Sequence, residues 1–112
     1  MDSIMTAREL ANKLDLEIVY DNGADREVSG CYVGDLLSWV MGKAKADSVW
    51  VTIMSNVNVA AVASLTDVSA VIFAESVEPD KELLDKMAKA DALFCKSSLS
   101  AYELAWRIRE VL

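Results

Sequence analysis

Three short apolar segments recur about every twenty residues in the second half of the chain: Val49-Trp50-Val51-Thr52-Ile53, Ala70-Val71-Ile72-Phe73-Ala74 and Ala92-Leu93-Phe94-Cys95. Each is continuous rather than alternating, which marks a strand covered on both faces. Each is followed by a stretch of helical character. Asn56–Leu65 is thin and Ala-rich. The segment opened by Pro79 places Leu83, Leu84, Met87 and Ala88 inward. The stretch after Ser100 repeats apolar residues at Ala101, Leu104, Ala105, Ile108 and Val111. Buried strands alternating with helices predict parallel βα units joined by right-handed crossovers. The fold class expected is α/β: one domain over residues 1–112, mainly a parallel sheet with helices packed on it. A length of 112 residues suits a single domain of the usual size.

The first half is less regular. Thr6-Ala7-Arg8-Glu9 has the form of a capping box opening a helix to about Leu14. Leu16–Tyr20 is a short strand, Asp21-Asn22-Gly23 a turn, and Val28–Val33 a second extended stretch near Gly30 and Gly34. Gly34-Asp35 then opens a helix running to Gly42. It is apolar around most of its circumference, which predicts burial on more than one side. Ser100-Ala101-Tyr102-Glu103 repeats the capping-box pattern.

Composition excludes several classes of function. With 54% hydrophobic and 26% charged residues, the chain has the apolar surface that disordered chains lack. That share is high for a small domain and points to burial against a second subunit, so a homodimer is expected. Eleven Lys and Arg stand against eighteen Asp and Glu, a net charge of −7. Binding to the phosphate backbone of nucleic acids or to anionic membranes is disfavoured. No apolar run approaches the ~20 residues of a membrane span. Met1–Met5 resembles neither a signal nor a transit peptide, so a cytoplasmic location is expected. The absence of histidine removes Ser-His-Asp and Cys-His catalysis and His-ligated zinc. Cys31 and Cys95 form no C-x-x-C pair and are expected to be reduced and buried. Two thiols cannot supply a four-thiolate cluster within one chain; a cluster shared between two subunits is the one arrangement left to them. Neither a P-loop nor a G-x-G-x-x-G motif is present. No enzymatic activity, cofactor or metal site is expected.

Three groups of residues are candidates for binding. The loops after the strands carry Asn56, Asn58, Lys96, Ser97 and Ser98, which suit a phosphate or carboxylate beside a helix N-terminus. Ser and Asn are equally the residues of helix caps and turns. Asp25-Arg26 offers a guanidinium for bidentate capture of an anion, or a local loop anchor. Trp39, Tyr102 and Trp106 lie off the core faces of their helices, either as interface anchors or as partly buried side chains at the domain edge.

Asp25-Arg26 followed by Val28-x-Gly30-x-x-x-Gly34-Asp35-Leu36-Leu37 resembles the DRTGG domain family. So do Asn58-Val59-Ala60-Ala61-Val62-Ala63, Ala70-Val71-Ile72 and Ser100-Ala101-Tyr102-Glu103-Leu104-Ala105. The resemblance runs from about Thr6 to Leu112, with Glu27 standing where the family motif has Thr. It implies an α/β fold similar to the N-terminal domain of HPr kinase/phosphorylase. It also implies a regulatory or interface role, as in phosphotransacetylases and CBS-domain pyrophosphatases. Stand-alone relatives are encoded near iron-only hydrogenase genes. On this basis the chain is expected to be a non-enzymatic homodimer sensing a small anionic ligand such as an adenine nucleotide. Asp25, Arg26, Gly30 and Gly34 would shape the loop beside the pocket, and Asn56, Asn58, Ser97 and Ser98 would supply polar contacts. The alternative is an interaction module without a ligand, docking a hydrogenase-type redox enzyme or a regulatory kinase through Trp39, Tyr102 and Trp106.

Overall fold

The structure is a computed structural model that describes residues 4–112. The reading of Met1–Met5 as no targeting peptide therefore falls partly outside the described residues. In chain order the elements are α1 (Ala7–Lys13), β1 (Glu17–Tyr20), β2 (Gly30–Val33), α2 (Leu37–Lys43), β3 (Ser48–Thr52) and α3 (Asn58–Thr66). They continue with β4 (Ala70–Phe73), α4 (Lys81–Lys86), β5 (Leu93–Lys96) and α5 (Ala101–Val111). A single 3-10 turn, Met87–Lys89, extends α4.

The five strands form one sheet in the order β1-β5-β4-β3-β2. β2 to β5 are parallel, and β1 joins β5 antiparallel. The continuous apolar runs became β3, β4 and β5, whose side chains are buried on both faces apart from the half-buried Lys96. Val49, Val51, Ala70, Ile72, Leu93 and Cys95 point to one face, where α1 and α5 cover them with Leu10, Leu14, Leu104 and Ile108. Trp50, Val71, Phe73 and Phe94 point to the other, against Val40 of α2, Val59 and Ala63 of α3, and Leu83 and Met87. The Phe73 and Phe94 rings stack there at 6.4 Å between centroids. Because β2, β3, β4 and β5 lie side by side in chain order, α2, α3 and α4 fall on one face. From β2 onward the chain changes face only after β5.

Several expectations are corrected. The helix after Gly34 is not buried on more than one side. It begins at Leu37 with no side-chain cap, and Val40 is its one buried residue. Leu36 is 61% and Trp39 59% exposed, and Met41 also faces outward. The cause is position: α2 covers the outermost strand, so nothing packs on its far side. Asp35 does not cap it. Its Oδ1 instead accepts from the Thr52 hydroxyl at 2.9 Å and the Ile53 amide at 2.8 Å. Pro79 precedes the Asp80 cap of α4 rather than entering the helix. Leu83 and Met87 turn inward, whereas Leu84 and Ala88 face out, since a single short turn-and-a-half presents only one i, i+4 line to the sheet. The Thr6 capping box is complete. At Ser100 only half of it forms: the hydroxyl accepts from Glu103 N at 3.2 Å, while the Glu103 carboxylate accepts from Arg107. Cys95 is buried as expected, but Cys31 is exposed on the edge strand.

Candidate functional site

The strand-end loops do not form one site. At the carboxyl ends of β4 and β5 the chain leaves in opposite directions, to α4 on one face and α5 on the other. A cleft of about 510 Å³ opens between these departures and the β1 edge. Diverging connections are where open α/β sheets hold ligands. Lys96, Ser76, Ser97, Ser98 and Arg107 of α5 line it. The carboxylates of Asp15, Glu17 and Glu78 line the same cleft.

Its geometry is built by the backbone. Glu75 and Ser76 both adopt the left-handed conformation, at φ 57° and 59°. This folds their amides onto the next loop, Glu75 N donating to Leu99 O at 2.9 Å and Ser76 N to Ser97 O at 2.8 Å. The Ser97 hydroxyl accepts from Leu99 N at 3.1 Å, a turn contact rather than a vacant ligand group. Lys96 bonds to Glu78 and lies 3.6 Å from Glu17. The Glu78 hydrogen bond and, after it, the Glu17 charge raise the ammonium above its ordinary value and outweigh partial desolvation. An incoming anion must therefore displace the exposed Glu78 from Lys96.

The other polar residues expected at this site lie elsewhere. Asn56 Oδ1 accepts from Asn58 N at 2.9 Å, closing the turn into α3. Asn58 lines a separate groove of about 420 Å³ between α3 and the end of α4. Gly30 opens β2, and Gly34 follows it at the opposite end of the same strand. Neither shapes a ligand loop. A Cβ on Gly34 would sit 2.9 Å from the Tyr32 ring, so that glycine makes room for an aromatic side chain.

Asp25 and Arg26 are at the far end of the sheet, below the amino ends of the parallel strands. The segment from β1 to β2 crosses there, and Arg26 fastens it. Nη1 donates to Asp67 Oδ1 at 2.9 Å, to Val68 O at 3.2 Å and to Asp91 O at 2.8 Å. Nη2 donates to Asp47 Oδ1 at 2.6 Å and to Asp67 O at 2.9 Å. These acceptors precede β3, β4 and β5. Desolvation works against the guanidinium charge, but Asp47, Asp67 and Asp91 more than offset it and its pKa is raised. Asp25 accepts from the Arg8 amide at 3.0 Å and lies 3.5 Å from the Arg8 guanidinium. The pair is thus the loop anchor among the two readings of its sequence. A strand of four or five residues, roughly 13–17 Å, separates it from Ser97 and Ser98.

The two thiols also lie apart. Burial raises Cys95 to about 12, with a smaller contribution from Asp21. Cys95 is sealed in the sheet beneath α1 and α5. It offers no thiolate to a second subunit, which removes the shared cluster. Among the described residues no group of three His, Cys, Asp or Glu is arranged to hold a metal ion. No helix there is long and apolar enough to cross a membrane.

The residues singled out as interface anchors are exposed. Tyr102 is 78% exposed, and Trp106 and Trp39 are also open to solvent. The Arg107 guanidinium lies 5.4 Å from the Trp106 ring centroid and the Lys43 ammonium 5.4 Å from that of Trp39. What sequence reading missed is the open edge of β2 between Trp39 and Tyr102. Its signal was the uncharged run Ser29-Gly30-Cys31-Tyr32-Val33-Gly34. Comparison with models of known protein families and with curated proteins gave no match to this chain.

Proposed function

We propose that the chain is a non-enzymatic, cytoplasmic regulatory domain that acts by docking to protein. One observation carries this reading. Leu36, Trp39 and Tyr102 stand largely exposed around one edge of the sheet, while the polar residues suited to a ligand are divided among separate places and several close turns. Large exposed aromatic side chains grouped on one side of a small domain mark an interaction surface. The resemblance to DRTGG domains supports the same role, with the HPr kinase/phosphorylase N-terminal-domain type of fold. A redox enzyme of hydrogenase type or a regulatory kinase is the class of target that resemblance suggests. The test follows the labelled chain by sedimentation in extract of the cells that make it. The wild type is expected to travel in a larger complex and a Trp39→Glu/Tyr102→Glu variant with intact circular dichroism to travel alone. Equal sedimentation of the two overturns the reading.

A second reading is favoured by the cleft where the connections after β4 and β5 diverge. Lys96 and Arg107 face three carboxylates there, which suits a small ligand bearing both signs of charge better than a polyphosphate such as an adenine nucleotide. Thermal unfolding against nucleotides, small anions and amino acids tests it. A ligand at 100 times its Kd adds ~2.7 kcal/mol, on the order of 10 °C or less in Tm for a domain of this size. A shift that Lys96→Ala abolishes establishes the second reading; no shift across the panel removes it.

A further inference from the structure

The two edges of the sheet are unlike. β1 is the edge a soluble protein can leave bare: its pairing is broken by a register shift between Ile18 and Tyr20, and Glu17 begins it. Bulges and charges of this kind block further strand pairing. β2 has neither. It pairs with β3 without a break, and Ser29–Gly34 contains no charge and no proline. Among the described residues no strand lies on its outer side. Cys31 and Val33 are exposed on the face that α5 shares.

The chemistry differs between the two ends of β2. At its start lie cations: Lys43 and Lys45 line a recess with Gly30 and Tyr32 on one face, and Arg109 a recess with Gly30 and Cys31 on the other. At its finish lies Asp35, two residues beyond Val33, and α2 begins just after it. Trp39 precedes Lys43 by one turn of α2. Tyr102 precedes Arg109 by seven residues of α5, about 10 Å along the helix, which matches the ~10 Å from Gly30 to Val33. Each flanking helix thus runs from an aromatic ring at the finish of β2 to a cation at its start.

We propose that a second copy of this chain pairs antiparallel along β2, joining two five-stranded sheets into one of ten strands. The inference rests on the docking role proposed above and gives that surface a second copy of the chain in place of the different protein the resemblance suggests. A two-fold axis perpendicular to the sheet preserves each face. It sets Lys43 and Lys45 of one copy towards Asp35 and Trp39 of the other, and Arg109 towards Tyr102. Every contact occurs twice. A parallel arrangement would instead set cation against cation. Directly opposed residues of antiparallel strands share a face, so the axis passes through a residue and not between two. Centred on Tyr32, it opposes Cys31 to Val33 and Gly30 to Gly34, all within the uncharged run, and Ser29 to Asp35. Centred on Cys31, it would oppose Gly34 to Val28, which is buried in its own core.

The test is the mass of the purified full chain by sedimentation equilibrium, with folding checked by circular dichroism. A dimer is expected for the wild type and for Ile18→Lys on the opposite edge, and a monomer for Val33→Lys. Val33→Cys is expected to form disulfide-linked dimers on mild oxidation through Cys31, and Cys31→Ser/Val33→Cys to lose most of them. A monomeric wild type, or a dimer untouched by Val33→Lys, overturns the inference. A purified monomer that still enters a larger complex in extract overturns the second copy as partner and leaves the docking role standing. Loss of both overturns both.

Discussion

Five hydrogen bonds converge on the guanidinium of Arg26, and three of them end on backbone carbonyls of loops 41 to 65 residues away. Its side chain is only 16% exposed. Replacing it by Met leaves those carbonyls and two Asp side chains without their donor. The expected loss is about 2–4 kcal/mol, read as a lower urea midpoint with an unchanged slope. Lysine carries the same charge but lacks the fork that spans three loops, so Arg26→Lys is expected to fall nearer Met than wild type. Cys95 makes a prediction in pH. Burial holds its thiol at about 12 against an ordinary 9.0. Below pH 9 the folded and unfolded chains are both protonated there and the stability is fully present. From pH 9 to about 12 the unfolded chain releases a proton that the folded chain keeps. Stability should therefore fall with rising pH, by up to about 1.4 kcal/mol per pH unit from this group. Urea unfolding of wild type and Cys95→Ala at pH 8 and pH 10.5 checks it. The variant starts lower, for its cavity, but declines less.

At the scale of elements, the caps separate two helices that look alike in sequence. Thr6 holds a reciprocal box and Ser100 only its forward half. Thr6→Ala is expected to cost about 1 kcal/mol, in the usual range for a lost cap, and Ser100→Ala no more than that, both by chemical denaturation. The contrast also shows what was readable beforehand. β3, β4 and β5 were plain, because burial on both faces leaves a continuous apolar run. α5 was plain, because Leu104 and Ile108 repeat at one turn. The antiparallel direction of β1 was not, since a strand of four residues carries no mark of its direction. Nor was the outward turn of Leu36 and Trp39: their sequence reports apolar surface, and only the position of α2 over an edge strand decides that it stays uncovered. Asp25-Arg26 could be read as clamp or anchor, and the acceptors that decide between them are far away in sequence.

For the whole molecule, the expected site was an assembly of residues that the topology distributes. Ser97 and Ser98 lie at the carboxyl ends of the strands, Arg26 at their amino ends, and Asn58 in a groove on one side. The surface that does form a unit is the β2 edge with its two flanking helices. A net charge of −7 on each copy opposes association there, and seven like charges outweigh the few cation contacts in their reach. Salt shortens that reach, to about 8 Å at physiological ionic strength. The dimer is accordingly expected to tighten as salt is raised, seen as a lower dissociation constant in sedimentation at two ionic strengths.

β2, β3, β4 and β5 are laid down side by side in the order in which they are made, whereas β1 pairs with β5, Ile18 opposite Cys95. During synthesis each later strand finds its neighbour already waiting. The earliest strand has none until the last has emerged. Arg26 waits with it, since its acceptors belong to three successive turns of the chain. The pairing of β1 is thus completed last, a long-range closure of the kind that slows folding, and a nascent chain halted before β5 holds β1 without its neighbour in the sheet.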